Sequence, residues 1–174
     1  GSPPVSTSDP VFAEAEDDVR ERNAHFLGMR GSHTADWYHR KLGRILWEYC
    51  GMARNAEGLT HALGEIAELR QDFWSDLNVP GDDRSLNQSL ERAGRVADFI
   101  ELGELLCQDA LQRAESCGCH FREEYQTPDG EAQRNDRDFA YVSAWEYQGA
   151  GEPACLHKEP LEFEYVHLIQ RSYK

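Results

Sequence analysis

Four successive runs of the chain carry apolar residues at helical spacing, and short polar turns separate them, a pattern that restricts residues up to about 116 to packed helices. In the first run Phe12, Ala15, Val19 and Phe26 stand among Glu and Arg, behind the start signal Asp9-Pro10. Thr34 is the expected cap of the second, in which Tyr38, Leu42, Ile45, Leu46 and Tyr49 share one face before Gly51 closes it. Asn55 opens the third, with Leu59, Leu63, Ile66, Leu69, Phe73 and Leu77 on one stripe. Residues 78–83, NVPGDD, are turn chemistry, because Pro and Gly together stop a helix and reverse the chain. The fourth run is predicted from near Ser85 to about Glu115, a rod of about 45 Å. Leu86, Leu90, Ala93, Ala97 and Ile100 make its stripe, widened by Leu102, Leu105, Leu106 and Ala110.

Beyond residue 116 the period changes. Residues 139–147, FAYVSAWEY, have an every-second-residue face and read as a strand. Leu161, Phe163 and Tyr165 alternate with Glu162 and Glu164 and read as a second, half-buried strand. The expected fold is therefore mainly α: an antiparallel bundle of three to four helices followed by a small β-containing C-terminal subdomain. Residues 1–10 are expected to be a linker or cleavage scar, 11–116 the bundle, and 117–174 the subdomain with short strands.

Charge and motifs narrow the function. A formal net charge of −14 argues against nucleic acid, whose phosphates call for a Lys/Arg face, and against docking on an anionic bilayer. No apolar run approaches the ~20 residues that span a membrane, so direct insertion is not expected. Five cysteines, Cys50, Cys107, Cys117, Cys119 and Cys155, form no repeating framework and fit a reducing, cytoplasmic compartment. The sequence has no G-x-G-x-x-G between strand and helix, no G-x-x-x-x-G-K-[ST] and no G-x-S-x-G. Without a glycine-rich turn feeding a helix N-terminus, a dinucleotide cradle is not encoded.

Cys117-x-Cys119-His120 offers borderline-soft metal ligands in one turn, with Cys155 and His157 as conceivable complements. A structural zinc needs four ligands, and without a convincing second pair no metal site is expected. Small thiols in a tight turn are the plainer reading, and an adjacent Cys119–His120 pair without an orienting third group is weak as a nucleophile. What stands out is residues 115–125, ESCGCHFREEY, where carboxylates, an Arg and a His crowd a helix exit. Such a cluster is either a buried hydrogen-bond network or a contact surface for another domain.

The stretch ESCGCHFREEYQTPDGEAQRNDRDFAYVSAWEY resembles the C-terminal region of succinate dehydrogenase and fumarate reductase flavoprotein subunits, many of which carry E-S-R-G-x-H-x-R-x-D/E here. LGRILWEYCGMARNAEGL, GRVADFIELGELLCQDAL and the closing LHKEPLEFEYVHLIQRSYK are similar to further segments of the same subunits, in the same order. Together they cover the chain from about Phe12 to Lys174. Cys117 stands where many members have Arg, and EEYQTPDGEAQRND departs from the mitochondrial form, which points to the bacterial subgroup.

The resemblance implies a parent subunit in which an N-terminal flavin domain carries FAD and the dicarboxylate-binding groups. None of that domain's motifs is present, so no catalytic, cofactor-binding or metal residue is assigned here, and this chain alone is expected to be inactive and without cofactor. The implied parent oxidises succinate to fumarate and passes electrons to an iron–sulfur subunit and a membrane anchor, at the inner face of the bacterial membrane. His120, Arg122 and Glu123 are expected to face the flavin domain. The competing reading is an internal Arg122–Glu123 or Arg122–Glu115 network, and the competing function is a stand-alone helical interaction module.

Overall fold

A computed structural model describes residues 5–149 and 152–169. Four long helices, α1 (Pro10–Gly28), α2 (Ala35–Tyr49), α3 (Ala56–Asp76) and α4 (Gln88–Gln112), precede a short α5 (Asp136–Phe139) and an antiparallel hairpin of β1 (Tyr141–Glu146) and β2 (Cys155–Pro160). This is the mainly helical architecture with a small β-containing end that the periodicity implied. The helices start where polar caps permit. Asp9 accepts from the Val11 N–H with Pro10 in the first turn, Asn55 from Gly58, and Asn87 from Ser89 and Leu90. Asn87 therefore opens α4, slightly later than the Ser85 expected.

The chain gathers into two compact units. The first comprises the chain up to Arg44 with Glu65–Gly103, and the second Ile45–Gly64 with the chain from Glu104 onward. In the first, Phe26, Tyr38, Leu42, Ile66, Leu69, Phe73, Leu77, Val96 and Ile100 form the core. Tyr38 near the start of α2 donates to the Asp72 carbonyl near the end of α3, so these two helices run antiparallel. Residues 30–33 lie against the end of α3, with the Gly31 N–H donating to Leu77 O and the His33 N–H to Asp76 O. A Cβ on Gly31 would stand 1.8 Å from the Asp76 carbonyl oxygen, so only glycine permits this approach.

Two apolar stripes are less buried than their period suggests. Phe12 and Val19 on α1 are exposed, and Phe26 alone on that helix is buried. Leu102 and Leu106 on α4 are likewise exposed, while Val96 and Cys107 complete the buried face. Periodicity identifies a helix without saying how far a neighbour extends along it.

In the second unit Ile45, Cys50, Leu59, Ala62, Cys107 and Ala110 are buried together with Tyr141 of the hairpin. Register pairs Tyr141 with Pro160 and Glu146 with Cys155. The second strand is thus Cys155–Pro160, and the expectation of a half-buried strand through Leu161, Phe163 and Tyr165 is corrected. The Leu161 N–H still reaches the Ala140 carbonyl, but before Ala140 the partner segment is helical, as α5. Among the described residues, 162–169 belong to no strand, and Leu161, Phe163 and Tyr165 are exposed.

Candidate functional site

The last carbonyls of a helix have no partner within it, and α4 ends on a segment rich in donors. Arg122, only 3% exposed, donates from Nη1 to the carbonyls of Ala110 (2.8 Å) and Leu111 (3.1 Å). Its Nε and Nη2 donate to the two carboxylate oxygens of Glu124. Glu124 in turn accepts from the Ala56 N–H, and Glu123 accepts from Asn55 Nδ2 at 2.7 Å. A guanidinium therefore sits at the negative end of α4 and carboxylates at the positive end of α3, so one ion pair satisfies both helix termini.

Backbone pairing locks this in place. The Arg54 N–H donates to Phe121 O, and the Glu123 N–H donates to Arg54 O. Ser116, fully buried, accepts from the Arg122 N–H at 2.8 Å and donates to the Arg122 carbonyl at 3.1 Å. Between them residues 117–120 make a closed turn, Cys117 and His120 exchanging backbone bonds, with Gly118 at φ 61°. That left-handed backbone suits glycine.

A second charged group lies beside the first. The Glu115 carboxylate, 3% exposed, accepts from Arg113 Nη1 at 2.9 Å and from the Asn135 N–H at 2.8 Å. Arg113 also donates to Phe139 O and Tyr141 O and lies over both rings. Trp145 Nε1 donates to Asp109 and Gln112 Nε2 to the Tyr141 hydroxyl, so α4's last turn holds β1 by side-chain hydrogen bonds.

Electrostatics follow from this packing. Burial lowers the His120 pKa, opposed by the bond to the Arg113 carbonyl and aided by the charges of Arg54, Arg122 and Arg113. A carbonyl only accepts, so His120 Nε2 carries the proton that bridges to Arg113 O at 2.9 Å. Burial would push the Glu124 carboxyl up, but the Arg122 fork and the Ala56 N–H together hold it below the usual range. Nearby, Cys107 donates to the sulfur of Cys50; that bond, opposed by burial and aided by Arg54, brings the Cys50 thiol down to about 7. The same bond and burial push Cys107 up. Arg54 reaches Cys50 Sγ at 3.7 Å, while its buried Nε has no partner.

Of the residues singled out in the sequence, His120 is half-buried, Glu123 is exposed and Arg122 is enclosed. Arg122 is engaged within the chain, and its carboxylate partner is Glu124, not Glu123 or Glu115. Cys117 and Cys119 are exposed, and with His120 they do not form a converging donor set among the described residues. Sequence reading missed the roles of Ser116, Glu124 and Arg113. Only the density of charge at a helix exit hinted at them. Chemically the arrangement fastens: the charges of Arg122, Glu124, Arg113 and Glu115 are spent on helix ends, backbone groups or an opposite charge.

The sequence pattern of the family described as "Fumarate reductase flavoprotein C-term" matches residues 39–173. The succinate dehydrogenase flavoprotein subunit of Bacillus subtilis is 20% identical over 153 residues, 88% of this chain and 25% of that protein. The L-aspartate oxidase of Synechocystis is 24% identical over 133 residues, 69% of this chain and 23% of the oxidase. Among solved structures, a quinol fumarate reductase chain of E. coli superimposes with a TM-score of 0.80 at 17% identity, covering 95% of this chain and 27% of that one. This last likeness is one of fold. The chain spans about a fifth to a quarter of the length of the curated relatives it matches.

Proposed function

Because the chain belongs to the fumarate reductase flavoprotein C-terminal family, we propose that it serves as the helical scaffold of a flavoprotein subunit that interconverts succinate and fumarate. The observation that carries this reading is the family match across residues 39–173. In the proposed parent, a bound FAD would supply the two-electron redox chemistry that links succinate and fumarate. The described residues of this chain do not fit that flavin: their sheet is an antiparallel hairpin, with no glycine-rich turn from a strand into a helix. The FAD and the dicarboxylate are therefore assigned to another part of the subunit. The proposed partners of that subunit are an iron–sulfur subunit and a membrane anchor, and its proposed location is the inner face of the bacterial membrane. No helix among the described residues is long and apolar enough to cross a membrane.

This chain's part is to present a fixed surface. The accessible members of the polar turn, His120 and Glu123, are the proposed contacts with the flavin domain, and Arg122 acts behind them by holding the turn. Large apolar residues left open, among them Trp47 at 86% and Met52 at 91% exposure, support a setting in which more protein covers them. The runner-up substrate is L-aspartate, because the same region is similar to the Synechocystis oxidase and no residue here discriminates between the two.

The experiment is to purify the protein encoded by the whole reading frame beside this chain alone, and to assay dye reduction with succinate and with L-aspartate. Flavin absorbance and succinate-dependent reduction are expected in the former and neither in the latter. Activity on L-aspartate alone moves the substrate to the second reading. A flavin-free, inactive product of the whole frame overturns both.

A further inference from the structure

The hairpin has two unlike faces. Tyr141, Ser143 and Trp145 point toward the end of α4, while Val142, Ala144 and Glu146 alternate with them on the open side. Register sets Glu146 directly across from Cys155 and Ala144 across from His157. Positions two apart on a strand share a face, so Cys155 and His157 emerge side by side with Glu146 opposite the first. The small Ala144 leaves the imidazole room to lean across, and His157 Nε2 meets Glu146 Oε2 at 2.6 Å. One carboxylate oxygen, one sulfur and one ring nitrogen thereby lie within 4.8 Å of one another, all on the exposed face.

The donors select the ligand. Thiolate with imidazole and carboxylate suits zinc and its neighbours, whereas calcium and magnesium take oxygen throughout. Donors about 2.0–2.3 Å from a tetrahedral zinc stand about 3.3–3.8 Å apart, so small side-chain rotations close the set around an ion. A bound cation would replace the His157–Glu146 hydrogen bond, the Cys155 thiol proton and the proton on His157 Nε2 passing to solvent, and the fourth position would remain for water. The geometry points to a single-ion site for a zinc-class divalent cation formed by Glu146, Cys155 and His157. The sequence offered Cys155 and His157 only as outlying ligands for the Cys117 turn; pairing of β1 with β2 supplies Glu146 instead and makes the site independent of that turn.

The test uses the whole chain, reduced, stripped with a chelator and titrated anaerobically with Co2+ alone. A thiolate-to-cobalt charge-transfer band should saturate at one equivalent, with visible absorption of tetrahedral strength, and Zn2+ should bleach both. Cys155→Ser should abolish the band, and His157→Ala should weaken zinc binding at least tenfold in competition. A Cys117→Ser/Cys119→Ser double variant should titrate like the parent. Because all these side chains are exposed, circular dichroism should report an unchanged fold throughout. Absence of a thiolate band at one equivalent overturns the proposal. So does a band that survives Cys155→Ser but disappears in the double variant, which would put the ion at the 117–120 turn.

Discussion

Arg122 shows how one buried cation can serve two helix ends. Its removal would leave the Ala110 and Leu111 carbonyls without donors and Glu124 without its counter-charge. We expect Arg122→Ala to cost about 3 kcal/mol, read as a lower urea midpoint of this chain by itself. Glu124→Gln should cost about 1 kcal/mol, because that partner is 38% exposed and water replaces part of the interaction. His120 sets a pH dependence. Its folded pKa lies below the usual 6.5, so between the two values the unfolded chain binds more protons. Stability is then fully present above 6.5 and falls as pH drops through the folded value. Urea midpoints at pH 7.5 and 5.5 should differ, and His120→Gln should flatten the difference. The sequence revealed that this segment was polar and singled out Arg122, but as a contact toward the flavin domain and not as the internal clamp seen here. It could not reveal that Glu124 and not Glu123 answers Arg122, because adjacent identical residues differ only in which way the backbone turns them.

At the scale of elements, the long helices were legible because Asp9-Pro10, Thr34 and Asn55 mark their starts and the stripes run for several turns. The second strand was not: alternation at Leu161, Phe163 and Tyr165 describes a shape the chain could take, while pairing depends on what lies across. The four-residue α5 was also missed, since so short a helix carries no period. Two substitutions examine how elements are held. Gly31→Ala drives a Cβ into the Asp76 backbone, which has no side chain to move aside, and should destabilise by about 3 kcal/mol in chemical unfolding. Asp109→Ala removes the acceptor of the Trp145 indole. A loss of about 1–2 kcal/mol is expected, seen as faster amide exchange across 141–146 with α3 unchanged.

For the whole molecule, the charge of −14 is the dominant long-range fact. Like charges repel over roughly 10 Å at 0.1 M salt, so raising sodium chloride from about 20 to 200 mM should raise the melting temperature. The family and the mainly helical class could be read from ordered sequence segments, whereas the grouping of the chain into two compact units could not, since α2, α3 and α4 each contribute to both. The distribution of sulfur has a practical corollary. Cys117, Cys119 and Cys155 are open to reagents, while Cys50 and Cys107 are sealed in the interior of the second unit. Alkylation of the native chain should therefore proceed in two waves, the first immediate and the second waiting on each excursion that uncovers the buried pair. Mass spectrometry of the second wave would time those excursions without any added label. The protein carries its own clock for breathing.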